Sequence, residues 1–297
     1  MGAIVFALLA AASNAVSTTT RHAASAVDAK GVSGWELVSR LFHSRLWLLG
    51  WSAQIGAFVF QAIALHNGEV SVVQPLLVTE LVVALVLRRA WLRERVATAA
   101  WGGAGLTCAG LAVFIAAAEP QGGGPTPTAG HWVAAITACV AVAVVLTALG
   151  QRGSPARRAA MLATAAGVTW ALEATFIKST TDTLSQFGVA GMFTRWPVYA
   201  LAVGGAAGVV LDQAALQAGP LRTAQPMLVI VDPLVSIPLS VWLFSEHFVV
   251  DAPALAVAAT AFCVMCAGVV LVTQAAPPVV ERSDAELSTE SRGNHRS

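Results

Sequence analysis

Charged side chains are scarce in this sequence. They make up 11% of its 297 residues, while hydrophobic residues make up 57%, and a soluble domain carries about 25% charged residues. The formal net charge is only +1, so the chain lacks the basic surface that nucleic-acid binding requires. The composition therefore argues against a soluble protein and leaves no nucleic acid among the expected partners. A mean hydropathy of +0.72 agrees with this interpretation.

The motifs of several function classes are also missing. The sequence contains no phosphate-binding glycine loop with Lys, no nucleophile elbow and no HExxH pair. The first absence argues against an ATP-driven pump within this chain. Because catalytic constellations are missing too, we expect no enzyme and no cofactor. The four cysteines, including Cys263-x-x-Cys266, lie in apolar runs, where small buried thiols are far commoner than metal or redox sites.

Long apolar runs recur along the whole chain. A membrane-spanning helix needs about 20 mostly apolar residues, and short breaks separate nine stretches of about that length. Their predicted bounds are 2–20, 46–66, 69–87, 97–118, 131–149, 159–177, 196–217, 222–244 and 253–274. We therefore predict an all-α membrane protein with nine transmembrane helices, which has the lipid bilayer as a partner.

The basic residues give these spans an orientation. With nine spans, one side of the membrane collects 15 of the 17 Lys and Arg residues, and the other side receives only Lys178 and Arg195. Cytoplasmic loops carry the excess of positive charge. We therefore expect a multi-pass protein of the cell (inner) membrane, with its N-terminus outside and its C-terminus in the cytoplasm.

The sequence contains a long-range repeat. Residues 58–80 align with 209–232, and one inserted residue in the second copy brings Glu80 onto Asp232. The copies lie five spans apart, and an odd number of spans means that they enter the membrane from opposite sides. Inverted repeats around a midplane site are an architecture of secondary transporters.

The repeat sets the predicted domain boundaries. Two four-helix repeats are separated by a Gly/Pro-rich linker, and the polar C-terminus has the composition of a disordered segment. The units are 1–118 for the first repeat, 119–150 for an external linker and linker helix, 151–275 for the second, inverted repeat, and 276–297 for a disordered cytoplasmic tail.

Acidic residues inside the predicted spans are the first candidates for a functional site. An ionised carboxylate at the bilayer centre costs roughly 2.5–3.5 kcal/mol on insertion scales. Glu80 and Asp232 lie near the centres of their spans, and no Lys or Arg lies clearly within any span. We predict that they form a midplane site for a cation or a proton, with a metal ion held by both as a narrower hypothesis. The alternative is that each is protonated and hydrogen-bonded to a neighbouring helix.

Two further acids and four glutamines are second-tier candidates for substrate binding. Asp212 and Glu173 lie nearer the ends of their spans, where interfacial solvation is expected. The glutamines follow the helical period or the repeat and would line a cavity or bond between helices; they are Gln54, Gln61, Gln74 and Gln225.

Prolines beside Asp232 predict an irregular helix. Pro233 and Pro238 remove backbone donors, leaving the carbonyls of Val229 and Leu234 without their usual helical partners. Discontinuous helices near the midplane expose such carbonyls to ions. We therefore expect an interruption of the eighth span near Asp232, the alternative being a kink relieved by packing.

These patterns carry a family resemblance. A Pro-led helix, then "WLRERV" (91–96) and a Gly-rich helix resemble the drug/metabolite transporter superfamily. The nine-span form and "GGAAGVVLDQAALQAGPLRTAQP" (204–226) look most like NIPA-type magnesium transporters and bacterial EamA-like relatives. The resemblance covers residues 1–275 and implies a transporter, with magnesium as the narrower implication.

The sequence departs from another group that it resembles. In small multidrug-resistance proteins the first helix carries a Glu eight residues before a basic residue. Counting back from His22 and Lys178 gives Asn14 and Trp170 in this chain. Proton-coupled drug export through that particular carboxylate is therefore not expected.

The expected function is secondary transport of a small cationic or metabolite substrate through a midplane acidic site by alternating access. The alternatives are a magnesium or divalent-cation transporter of NIPA type, a membrane-embedded enzyme, which the missing motifs disfavour, and a non-transporting membrane scaffold. A homodimer is among the assemblies that the sequence leaves open.

Cysteine accessibility tests the predicted topology. In a variant without the four native cysteines, single cysteines at 121–128 should react with an impermeant thiol reagent on intact cells. Cysteines at 283–295 should react only after permeabilisation, because nine crossings put the two segments on opposite sides. Labelling of both segments from one side would contradict the nine-span topology.

Overall fold

The computed structural model describes residues 2–28, 45–91, 93, 96–118, 120–121, 127–248 and 251–275. Nine helical segments within these residues are long and apolar enough to cross a membrane, which confirms the predicted class. The helices are α1 (Gly2–Asp28), α2 (Arg45–Asn67), α3 (Val70–Leu77), α4 (Glu80–Ala90), α5 (Thr98–Ala118), α6 (Ala129–Gly150), α7 (Pro155–Met192), α8 (Pro197–Ala218), α9 (Leu221–Phe244) and α10 (Ala252–Ala275). Together α3 and α4 form the third span. The predicted tail and most of the predicted linker lie outside the described residues.

Helix α7 is much longer than its predicted span of 159–177. Its 38 residues correspond to about 57 Å at 1.5 Å per residue, against about 30 Å for the hydrocarbon core. The polar residues after Ile177 end the apolar run, but they do not end the helix. The first interruption is a kink at Gly188, whose φ of 68° lies in the left-handed region.

The helices pack as pairs that recur in the two halves of the chain. Helix α1 packs along α2, and α7 packs along α8. Helix α9 packs against α7, and α1 packs against both α3 and α4. The predicted linker helix, α6, lies against α7.

Helices α5 and α10 form a close seam between the halves of the chain. A Cβ added to Gly103 would lie 2.8 Å from the carbonyl oxygen of Gly268, and one added to Gly110 would lie 2.5 Å from the backbone nitrogen of Met265. Only glycine allows the two backbones to approach this closely. Small residues at such positions are a general means of packing helices within membranes.

Two short strands bring the segment after α5 and the segment after α9 to the same end of the bundle. Strand β1 (Pro120–Gln121) pairs antiparallel with β2 (His247–Phe248), with Pro120 opposite Phe248. The Lys178 ammonium donates both to Glu246, the residue directly before β2, and to the carbonyl oxygen of Gly68, so the link between α2 and α3 lies at that end too. We call this the clasp end; the opposite end, where Arg88 and Arg89 close α4, is the arginine end.

The α5–α10 seam gives a stability prediction with a control in the same helix. Gly110→Ala should lower the free energy of unfolding by about 1–3 kcal/mol, because the new methyl group meets backbone atoms that cannot rotate away. Gly105→Ala should be neutral or stabilising, because its Cβ would meet nothing within 4 Å. Thermal unfolding in detergent measures both, and equal midpoints for the two variants would contradict the close seam.

Candidate functional site

Glu80 lies directly after a break in the third span. Helix α3 ends at Leu77 and α4 begins at Glu80. Between them the backbone tightens into three-residue hydrogen bonds, such as that from Thr79 N to Leu76 O at 3.1 Å, and the Thr79 hydroxyl also donates to Leu76 O at 2.7 Å. The break turns the start of α4 and sets the direction in which the Glu80 carboxylate leaves the helix.

The expected interruption near Asp232 is wrong. Helix α9 runs without a break from Leu221 to Phe244, although Pro226, Pro233 and Pro238 lie inside it. Membrane helices tolerate prolines where neighbouring helices and local adjustments compensate the freed backbone groups. The irregular backbone therefore belongs to Glu80 and not to Asp232.

Four acids from both halves of the chain lie close enough to interact electrostatically. Glu80 on α4 interacts with Asp212 on α8 and with Asp232 on α9. Asp232 interacts in turn with Glu173 on α7. We call these residues the four-acid group. The predicted pairing of Glu80 with Asp232 is thus part of a longer series.

Glycines bring the backbones close to two of these acids. A Cβ on Gly167 of α7 would lie 2.7 Å from the Val231 side chain, immediately before Asp232. A Cβ on Gly205 of α8 would lie 2.9 Å from Oε1 of Glu173. Larger residues at either position would push apart the helices that carry the acids.

Two acids of the group keep buried oxygens without hydrogen-bond partners. These are Oδ1 of Asp232 and Oε2 of Glu173. Asp232 is half-buried as a whole, whereas Glu173 is only 7% exposed. A buried acceptor without a donor costs about 1–3 kcal/mol or more, so these two oxygens are where a proton or a cation would be gained most favourably.

The burial of Glu173 corrects the expectation of interfacial solvation. That expectation came from ending the helix near Lys178, which put Glu173 about one and a half turns from the outer end. Because α7 continues to Met192, Glu173 lies in its middle and belongs to the interior. The polar sequence 178–185 hid this continuation.

The predicted glutamines have different environments. Gln74 is 1% exposed, and neither its amide nitrogen nor its amide oxygen has a hydrogen-bond partner. Gln54 takes part in a hydrogen-bonded chain that ends at Asn14, whereas Gln61 and Gln225 are half-buried on α2 and α9. Gln74 is therefore the glutamine whose unmet hydrogen-bonding capacity most resembles that of Asp232 and Glu173.

A chain of polar side chains leads from α1 and α2 to Glu80. The Ser17 hydroxyl donates to Oε1 of Gln54 at 3.2 Å, and Nε2 of Gln54 donates to Oδ1 of Asn14 at 3.1 Å. The Asn14 side chain lies beside Glu80. Asn14 and Ser17 were not among the predicted site residues, although Asn14 stood out in the sequence as an amide where a resembling group has an acid.

Glu246 is the centre of a second polar assembly, at the clasp end. Its Oε1 accepts from the Lys178 ammonium at 3.0 Å and from the backbone N–H of Val70 at 2.9 Å. Its Oε2 accepts from the N–H and the hydroxyl of Ser71, at 3.1 and 2.8 Å. We call Glu246, Lys178, Gly68, Val70 and Ser71 the clasp. It joins the beginning of α3 to α7 and to the link after α9.

The clasp stabilises a carboxylate that is only 1% exposed. Burial by itself raises the pKa of Glu246. The Lys178 ammonium and the hydrogen bonds from Val70 and Ser71 outweigh burial, so the pKa lies below its ordinary value of 4.5. The N-terminus of α3 adds the favourable field of a helix dipole. If the alignment of Glu80 with Asp232 is continued along the sequence, Glu94 is the counterpart of Glu246, and Glu94 lies outside the described residues.

An aromatic cluster lies beside the clasp. Trp132 packs against Phe176 and Trp196, with ring centres 5.7 and 4.9 Å apart, and against Phe244 at 6.1 Å. The Lys178 ammonium lies 5.2 Å from the centre of the Phe244 ring. Phe176 is less than one turn from Glu173 on α7, so these rings fill space between the clasp and Glu173.

An apolar groove of the structure does not coincide with the four-acid group. A groove of about 410 Å³ lies between α5 and α10 and is lined by Ala, Val and Gly residues with Thr260. Among the described residues, no group of three or more His, Cys, Asp or Glu side chains is arranged to hold a metal ion. The acids are therefore spaced as a series and not gathered around one point.

Comparisons with known proteins find a relative of similar length. The chain is similar to an uncharacterized protein of Corynebacterium glutamicum, with 27% identity over 252 residues, which cover 84% of this chain and 87% of the relative. No protein-family profile matches the chain, and no solved structure matches it.

The clasp predicts a loss of stability on neutralisation. Glu246→Gln should lower the free energy of unfolding by about 3–5 kcal/mol, because it leaves the largely buried Lys178 without its counter-charge. In the unchanged protein, the contribution of Glu246 is present above about pH 4.5 and is lost as the pH falls through its lowered pKa. Thermal unfolding in detergent from neutral to acidic pH measures both effects.

An exposed ion pair at the same end is the control. Nδ1 of His66 lies 3.6 Å from Oδ1 of Asp182, and both side chains are about 40% exposed. Asp182→Asn should change the free energy of unfolding by less than about 1 kcal/mol. Equal effects of Glu246→Gln and Asp182→Asn would contradict the special contribution of the clasp.

Proposed function

We propose that this protein is a secondary transporter of a small cation, which binds at the four-acid group and crosses the membrane by alternating access. The observation that carries the proposal is the pair of buried, unpartnered oxygens on Asp232 and Glu173. These two residues interact electrostatically with each other and belong to a series of acids on four different helices. Intramembrane acids of this kind mark ion pathways and proton relays.

Electrostatics supports a positively charged cargo. Acids that share a low-dielectric interior repel one another when ionised. Lys178 pairs with Glu246 and His66 pairs with Asp182, so these two basic residues are engaged away from Asp232 and Glu173. A cation or protons would relieve the repulsion, and exchange between the two would couple cargo movement to a proton gradient.

The packing of helices supports an inverted repeat. The pair α1–α2 in the first half has a counterpart in α7–α8 in the second, and the contact of α1 with the third span has a counterpart in that of α7 with α9. Helices α5 and α10, the last of each proposed repeat, pack against each other at the seam. A twofold relation in the membrane plane accounts for all three observations.

The clasp supports alternating access. At the clasp end, α3 packs against α9, and five hydrogen bonds to Glu246 and Gly68 hold the two halves together. Helix α4, which continues the same span toward the arginine end, has at most marginal contact with α9. We interpret this arrangement as a state closed at the clasp end. Opening there would require the bonds of the clasp to exchange for water.

The acids suit more than one kind of cation. Mg²⁺ keeps several waters and meets one or two carboxylates at a time, which a series of separated acids can supply. A small organic cation would use the same carboxylates through charge-assisted hydrogen bonds. The shared chemistry is a positive charge at Asp232 and Glu173, and transport assays can separate the candidates.

Proteoliposomes provide the test. Uptake of Mg²⁺, methylammonium and guanidinium is measured separately, with a trapped pH-sensitive dye recording proton movement. For whichever cation is transported, Asp232→Asn and Glu173→Gln should each raise the half-saturating concentration about tenfold or more, the value of one charge-assisted hydrogen bond of about 1.5–3 kcal/mol. Glu80→Gln should also weaken transport.

Asp251→Asn is the matched control, because Asp251 is an exposed acid that accepts a hydrogen bond from Ala254 N outside the four-acid group. It should leave uptake unchanged. Wild-type rates with Asp232→Asn and Glu173→Gln would refute the site. If no cation or proton moved in any assay, and the variants lacking the acids folded and inserted normally, a non-transporting membrane scaffold would be the better description.

A further inference from the structure

One side of α9 carries a row of polar side chains. Asp232, Ser236 and Ser240 follow one another at intervals of four residues, so each lies about 6 Å further along the axis and about 40° further around it. Both serines are fully buried. Their hydroxyl groups donate to carbonyl oxygens three residues earlier in the same helix, at 3.5 and 2.8 Å. Because a hydroxyl has a single hydrogen, the serine oxygens remain available only as acceptors. We call these three residues the polar row.

The polar row lies on the side of α9 that is left for α3. Val231 meets Gly167 of α7, and Ile237, about 240° further around α9, packs against an apolar cluster of α5 and α10. The polar row lies between these two directions, at about 100–180° from Val231. Leu234 and Val241 lie in the remaining sector and are exposed. Since α3 also packs against α9, the polar row faces the interface between α3 and α9.

Gln74 is a polar side chain of α3 at the level of Ser240. The bonds from Val70 and Ser71 to Glu246 hold the beginning of α3 beside the end of α9. Gln74 lies four residues after the first residue of α3, and Ser240 lies four residues before the last residue of α9. Both are therefore about 6 Å into the span from the clasp. Gln74 is also only about 60° around α3 from Ser71, whose hydroxyl reaches Glu246.

The hydrogen-bonding capacity of Gln74 is unmet inside the protein. The side chain is 1% exposed, and both its amide nitrogen and its amide oxygen lack a partner. An unpaired buried amide destabilises a packed interface, whereas water or a polar ligand that entered the interface would bond to both groups. Gln74 is therefore suited to an interface that opens to water and not to one that stays closed.

We infer that the interface between α3 and α9 is the route between the four-acid group and the clasp end, along which Ser236, Ser240 and Gln74 bind the passing cation through their oxygen atoms. The route ends at Glu246, whose carboxylate becomes available to a cation when Lys178 separates from it. The inference deepens the proposed function and rests on it for the nature of the cargo. A path that opens to water is a property of the protein alone, so it can be tested without a transport assay.

Cysteine modification from the clasp end provides that test. The full chain without its four native cysteines is treated in membranes with a membrane-impermeant methanethiosulfonate that carries a trimethylammonium group. Ser240→Cys should react about tenfold faster or more than Val241→Cys, its lipid-facing neighbour at the same depth, because a thiol in apolar surroundings does not ionise. Ser236→Cys should likewise react faster than the exposed Leu234→Cys. Ser185→Cys, exposed on α7 beyond the clasp, identifies the side of the membrane from which the reagent must come.

Two further variants test the clasp and the amide. Ser71→Ala removes one hydrogen bond of the clasp and should raise the rate at Ser240→Cys about tenfold by favouring the open state. Gln74→Met keeps the length of the side chain and removes two unpaired buried groups, so it should raise the thermal midpoint of unfolding. The same variant should slow the reaction of Ser236→Cys, because it removes a polar contact along the route.

Equal rates at Ser240→Cys and Val241→Cys, even with Ser71→Ala present, would overturn the route. A lower unfolding midpoint for Gln74→Met would overturn it as well, and that measurement does not depend on the cysteine variants. Selective reaction at the serine positions in a protein that transports no cation would retain the path and reject the proposed function alone. Cation transport that requires Asp232 while the serine positions stay unreactive would retain the proposed function and reject the path.

Discussion

A carboxylate carried away from water needs a compensating charge, hydrogen-bond donors or a proton, because leaving it ionised and bare costs several kcal/mol. The described part of this chain meets that constraint in three ways. Glu246 receives a lysine ammonium and backbone donors, and Glu80 lies beside the side-chain amide of Asn14. Asp232 and Glu173 each keep an oxygen with no donor. The charges and hydrogen-bond donors that stabilise buried carboxylates therefore decrease in number from the clasp end toward the four-acid group. In the interior, a bound proton or cation would stabilise the oxygens that lack a donor.

The fold was predictable where its cause is apolar length. For eight of the nine spans, most of the predicted ends lie within a few residues of the observed ends. The reason is that about 20 consecutive apolar residues are stable in a bilayer, whereas polar backbone groups without hydrogen bonds are not. Helix α7 was the principal error. Its extension past Ile177 begins with Lys, Ser, Thr, Thr and Asp, residues that lower hydropathy without breaking a helix. Hydropathy predicts where a helix leaves the lipid, whereas the length of the helix also depends on contacts such as that of Lys178 with Glu246.

The acids of the candidate site could be selected from the sequence, whereas their geometry could not. Costly acids at mid-span pointed to Glu80 and Asp232, and the structure adds their interaction. The break before Glu80 was missed, because a proline five residues earlier is a weaker signal than two prolines after Asp232, and those two are absorbed in a continuous α9. Asn14 was missed for another reason. Its relation to Glu80 depends on which faces of α1 and α4 meet, and no pattern within one helix records that.

Glu173 and Lys178 lie on one uninterrupted stretch of α7, so their positions are mechanically coupled. The two residues are five positions apart, so their separation along the axis is about 7.5 Å and their angular offset about 140°. A rotation or axial shift of α7 at the level of Glu173 therefore reaches Lys178 undiminished. An inserted residue between them would turn Lys178 by about 100° around the axis, away from Glu246. The number of residues between Glu173 and Lys178 is thus constrained, whatever the identity of those residues.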